Sequence, residues 1–125
     1  MHKIQFLNPG HIVAGGHYSS IARVGPLVFT AGHVPRDENR TVIGSTIAEQ
    51  TTATLSSIKD SLSAFNVTLE DIIQVRVHLS DLSLASEFNA AYADFFGAHK
   101  PTRTVVGSQL NGVMVEIDIV AYTSS

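Results

Sequence analysis

The chain has 125 residues, 44% of them hydrophobic and 15% charged, with a formal net charge of −3. That length and balance suit one globular domain with a sizeable core and argue against a disordered chain. No stretch concentrates Lys or Arg, which counts against a nucleic-acid binder, and the lack of cysteine removes disulfides, thiolate zinc sites and thiol nucleophiles.

No repeat, linker or low-complexity stretch divides the chain, so a single domain over residues 1–125 is expected. The opening "MHKIQFLNPG" lacks the apolar run of a signal peptide, and no segment reads as a membrane span. The cytoplasm is the expected location.

"HKIQF" alternates and predicts a short first strand, followed by a Gly- and Pro-rich loop, "NPGHIVAGGH". "YSSIARV" and "LVFTAGHV" flank Gly25-Pro26 and read as two strands joined by a tight turn. "PRDENR" is a polar loop and "TVIG" a short extended piece. Thr46 and Glu49 fit a capping box, and Ile47, Thr51, Leu55, Ile58, Leu62 and Phe65 form one helical stripe that stops at Asn66. "IIQVRVHL" alternates as a half-buried strand, with Ile73, Val75, Val77 and Leu79 facing one way and Gln74, Arg76 and His78 the other. A second helix follows in "DLSLASEFNAAYADFFG", with Leu84, Phe88, Ala91, Tyr92 and Phe95 as its apolar stripe and Gly97 as its cap. "TRTVVG" and "VMVEIDIVAY" are two final strands. Strands and helices in this order predict an α+β domain.

Two helices cover one face of such a sheet. In the last strand Val113, Val115, Ile117, Ile119 and Ala121 belong to that face, leaving Met114, Glu116, Asp118 and Val120 on the other. Val28 and Val106, or Leu27 and Phe29 in the opposite phase, extend the second face, which is too apolar to stay in water. Burial against other subunits is expected, with Glu116 lining a cleft at their boundary.

Arg103, just after Pro101 at a strand start, offers a planar fork suited to a carboxylate. Glu116, among β-branched neighbours, could orient a water or pass a proton; Asp118 shares its face, and position alone does not choose between them. The bland alternatives are a surface ion pair for Arg103 and a satisfied carboxylate for Glu116. The six histidines, His2, His11, His17, His33, His78 and His99, show no metal-binding spacing, so no metal site is expected; His17 and His33 could border a cleft. No G-x-S-x-G elbow or phosphate-binding P-loop is present.

"YSSIARVGPLVFTAGHVPRD", "EQTTATLSSIKDSLSAFNVTLEDIIQVRVHLSDL", "FNAAYADFF" and "PTRTVVGSQLNGVMVEIDIVAY", in that order, resemble the Rid or YjgF family of reactive-intermediate imine deaminases. The resemblance runs from about Tyr18 to Tyr122. It implies a chorismate-mutase-like α+β fold, a six-stranded mixed sheet with two helices on one face, assembled as a homotrimer around a central β-barrel. It implies 2-iminoacid deaminase activity without cofactor or metal, hydrolysing reactive imines to 2-keto acids and ammonia in clefts between subunits. By the same resemblance Arg103 grips the carboxylate of the 2-imino acid, Glu116 positions the attacking water, Tyr18 and Asn89 line the site, and the backbone at Gly32 and Val105 contacts the substrate. The chain departs from the family pattern at Ala31, where serine is frequent, at His33, where glutamine is common, and at Asn111, where Leu-Pro is usual. Its loops from Phe96 to Pro101 and from Arg103 to Glu116 are shorter. Two other readings are a non-catalytic trimer that binds small carboxylates or regulates an enzyme, and a ribonuclease, which the acidic composition disfavours.

Overall fold

The computed structural model describes residues 3–124. Six strands, β1 (Gln5–Leu7), β2 (Ile21–Val24), β3 (Leu27–Thr30), β4 (Ile72–Leu79), β5 (Thr102–Gly107) and β6 (Val115–Tyr122), form one sheet in the order β1-β2-β3-β6-β4-β5. The β4–β5 pair is parallel and every other pair antiparallel, so the sheet is mixed. Helix α2 (Ala85–Phe96) connects the parallel pair, as a crossover requires. Helix α1 (Ile47–Ser63) packs beside it. The architecture is therefore the expected α+β fold.

Local chemistry sets the boundaries. Gly25, at φ +56°, turns β2 into β3. At the start of α1 the Thr46 hydroxyl accepts the Glu49 amide at 3.1 Å, and the Glu49 carboxylate accepts the Thr46 amide at 3.2 Å. These two bonds satisfy orphan donors at the helix start. Hydrogen bonds from the Ser45 and Thr46 amides and the Ser45 hydroxyl hold the Glu49 carboxyl below its usual range. Asn66 adopts φ +57° and ends the helical run, and Gly97, at φ +63°, follows α2.

One face of the sheet carries the core. Leu55, Ile58 and Leu62 from α1 and Phe88 from α2 are fully buried against Val75, Val77, Ile117 and Ile119. The other face has no helix over it among the described residues. There Leu27 pairs with Tyr122 and Phe29 with Val120, and Phe29, Tyr122 and Val106 stay exposed. Val28 points into the core, so the Leu27 and Phe29 phase is the one adopted.

Three expectations need correction. A register shift between Ile72 and Gln74 puts Ile72 in the core and Ile73 in solvent, because the bulge inserts a residue and reverses the alternation behind it. Phe96, absent from the expected stripe of α2, is buried, whereas Phe95 is only partly so. The first strand covers Gln5–Leu7, shorter than the expected "HKIQF" and ending one residue later; His2 lies outside the described residues.

Candidate functional site

Glu116 sits on the uncovered face of β6, directly across from His78 on β4. Its carboxylate lies over Gly32, just beyond β3: a Cβ built on Gly32 would fall 2.5 Å from Glu116 Oε2. The Gly32 backbone is outside the left-handed region, so the position needs glycine for space and not for conformation. Tyr18 closes the same corner, its hydroxyl accepting the Gly15 amide at 3.1 Å. These three residues border a cavity of about 150 Å³, together with His33, Arg36, Arg40 and Asn111.

The two acids of β6 differ in their neighbours. Arg76 Nε donates to Asp118 at 2.7 Å, in the cross-strand register that pairs the two residues. Glu116 has no hydrogen-bond or ion-pair partner among the described residues. Asp118 is thus neutralised in place, while Glu116 faces the cavity uncommitted.

His33 borders this cavity, as a buried side chain and not a solvated one; His17 is exposed and is not among the residues lining it. A carbonyl can only accept, so the 2.8 Å contact to Ala31 O fixes the proton on His33 Nδ1. The Ser61 hydroxyl then donates to His33 Nε2 at 2.7 Å. His11 Nε2 completes the chain by donating to Ser57 O at 3.1 Å, with Ser61 Oγ at 3.3 Å. Burial lowers the pKa of His33, so the ring is held neutral. Its backbone exchanges hydrogen bonds with Ile117, which fixes Gly32 against the residue next to Glu116. Among the described residues, no group of His, Asp and Glu is placed to hold a metal ion.

Arg103 lies elsewhere. It pairs with Val75 and so shares the helix-covered side of the sheet, at the free edge formed by β5. Its guanidinium stands 4.8 Å from the ring centre of Tyr92 and 5.6 Å from that of Phe88. The two rings hold a flexible cation in one orientation beside a shallow groove of about 230 Å³. The buried Tyr92 hydroxyl has no partner among the described residues, and burial raises its pKa to about 12 against the opposing charge of Arg103. Asn89 is exposed on α2 beside Phe88, and Val105 follows on β5 with its side chain against the core.

Within one chain the six expected residues therefore fall into two groups. Tyr18, Gly32 and Glu116 share the cavity; Arg103, Asn89 and Val105 gather around the β5 edge and α2. Arg36 and Arg40 were hidden in sequence because "PRDENR" reads only as a polar loop, and no spacing announces that the loop folds back over Glu116.

No helix among the described residues is long and apolar enough to cross a membrane. Residues 10–123 match the family model described as Endoribonuclease L-PSP. A RutC family protein of Pyrococcus abyssi is 36% identical over 110 residues, 86% of this chain and 87% of that protein. TdcF of Escherichia coli K12, which carries the name of a reactive intermediate deaminase, is 30% identical over 122 residues, 94% of this chain and 92% of its own. The crystal structure of E. coli TdcF with bound serine superimposes with a TM-score of 0.88 at 27% identity, covering 96% of this chain and 99% of that one. By this match, which spans nearly the whole chain, the protein belongs to the Endoribonuclease L-PSP family, the Rid or YjgF family that its sequence resembles.

Proposed function

We propose that the protein is a 2-iminoacid deaminase that acts as a homotrimer, each site being completed at a boundary between subunits. The observation that carries this reading is the uncommitted Glu116 carboxylate over Gly32, beside an Asp118 that Arg76 neutralises. The apolar sheet face around Phe29 and Tyr122 supports assembly, since a monomer would leave it in water. Assembly is also what the two separated groups need: Arg103 of one subunit meets the Glu116 cavity of the next.

In the proposed reaction Arg103 holds the substrate carboxylate through its two-pronged fork, and Asn89 with the backbone of Gly32 and Val105 aligns the rest. Glu116 draws a proton from a water molecule whose oxygen bonds to the imine carbon. The imine nitrogen gains a proton, and the carbon then carries both hydroxyl and amine. The amine nitrogen then takes up a second proton, the C–N bond breaks and ammonia leaves, while the hydroxyl gives up its proton as the keto C=O forms. The balance is imine plus water giving 2-keto acid plus ammonia. Positioning and proton transfer suffice because the imine carbon is already electrophilic.

A threonine dehydratase coupled to the protein tests the proposal. Wild type should speed 2-oxobutanoate release, and Arg103→Ala and Glu116→Gln should each lower that effect by about a hundredfold or more. Equal rates with wild type, with Arg103→Ala and with no added protein would end the deaminase reading. A second reading, a carboxylate-binding regulator without turnover, draws on the serine bound to E. coli TdcF. It predicts ligand binding that needs Arg103 and is indifferent to Glu116→Gln.

A further inference from the structure

Two arginines border the cavity that holds Glu116, and neither belongs to the proposed reaction. Arg36 donates to Arg40 O at 2.7 Å and to Asn111 O at 2.9 Å, and its guanidinium lies against Gly112. Arg40 donates to Val13 O at 3.1 Å, and a Cβ on Gly15 would come within 3.1 Å of its guanidinium. Carbonyl contacts thus fix both heads, yet use only two of five donors in Arg36 and one in Arg40. Neither has a carboxylate within ion-pair distance among the described residues. Asp37, the other acid on the cavity wall, is turned to its own loop, where its Oδ1 accepts the amides of Asn39 and Thr41, both at 2.9 Å. The cavity therefore presents two anchored, unpaired cations beside the acid that would position water.

We propose that Arg36 and Arg40 form a second anion subsite, so that the preferred substrates are 2-imino acids with a second carboxylate on the side chain. This rests on the deaminase reading and names its substrate class. Arg103 of a neighbouring subunit takes the carboxylate next to the imine carbon, and Arg36 and Arg40 take the distal one. The imine is thereby held by both ends with its carbon facing Glu116. Arg40 is exposed and Arg36 half-buried, so both guanidinium groups keep donors that an incoming carboxylate can reach.

The test compares 2-iminosuccinate, made from aspartate by an aspartate oxidase, with 2-iminobutanoate, made from threonine by a dehydratase. Calorimetry with the two products, oxaloacetate and 2-oxobutanoate, runs in parallel. Wild type should favour the dicarboxylic compounds at least about tenfold in kcat/KM and in Kd, and Arg36→Gln and Arg40→Gln should each lower that preference about tenfold. Glutamine keeps a donor for the loop carbonyls, so the loops stay anchored. If wild type hydrolyses 2-iminobutanoate as well as 2-iminosuccinate and binds oxaloacetate no tighter, the subsite is refuted and the deaminase stands. Losses that fall equally on both compounds make the arginines loop staples and also refute it. If neither imine is hydrolysed but oxaloacetate binds through Arg40, the subsite stands and the deaminase reading fails.

Discussion

Gly32 leaves the room that the Glu116 carboxylate occupies. An alanine there would put its Cβ 2.5 Å from Oε2 and 2.8 Å from the carboxyl carbon, and the backbone itself would accept it. The side-chain end of Glu116 is the part that yields. Gly32→Ala should therefore cost no more than about 1 kcal/mol of stability. Turnover should drop about a hundredfold, the scale of a misplaced catalytic group. Thermal melting and imine hydrolysis measured on the same preparation separate the two effects. A variant with full activity would show that the carboxylate does not act from where it lies.

Tyr92 serves Arg103 with its ring and not with its hydroxyl. The ring lies 4.8 Å from the guanidinium, while the buried hydroxyl has no partner among the described residues. Tyr92→Phe removes an unsatisfied polar atom and should leave stability unchanged or raise it by about 1 kcal/mol. Tyr92→Ala removes the surface that orients Arg103 and should raise KM severalfold, in addition to its cost to the core. Denaturant melts and the KM against kcat pattern distinguish the two; a raised KM in Tyr92→Phe would assign the hydroxyl a role.

The parts of the fold that repeat were legible in sequence, because periodicity follows from burial. The α1 stripe and its capping box, the Gly25 turn and the alternation of β6 all reappear in the structure. The bulge in β4 was not legible: "IIQVRVHL" alternates cleanly from Ile73, and only pairing with β6 shows that Ile72 takes the inward place. At the site, Glu116 and Asp118 looked alike from their shared face. Arg76 distinguishes them, and that contact spans 42 residues of chain. Arg36 and Arg40 escaped notice because a polar loop carries no period, and their convergence on Glu116 depends on where the loop returns.

Phe29 tests the proposed assembly. It is exposed in one chain, pairs with Val120 across β3 and β6, and lies amid the apolar face that would meet other subunits. Phe29→Glu places a charge in that contact while leaving the helix-covered core untouched. The expected outcome is a shift from about three times 13.4 kDa to a single chain by light scattering. Imine hydrolysis should vanish with it, because Arg103 and Glu116 would part company. A monomeric mass for the wild type at micromolar concentration would contradict the assembly.

His33 predicts how stability depends on pH. Burial lowers its folded pKa below the ordinary 6.5, the nearby His11 adds to that effect, and the Ala31 carbonyl and Asp118 oppose it. The unfolded chain thus binds the proton more readily than the folded one, so stability rises with pH between the two values. The contribution is complete above about 6.5 and is lost as pH falls from there through the folded value. Urea unfolding of the wild type should weaken steadily over that window. His33→Gln carries no proton to titrate and retains both a donor for Ala31 O and an acceptor for the Ser61 hydroxyl, so its stability should fall less steeply with acid. Identical slopes for the two proteins would mean that His33 is as easily protonated inside the fold as outside it, and that burial does not hold the ring neutral.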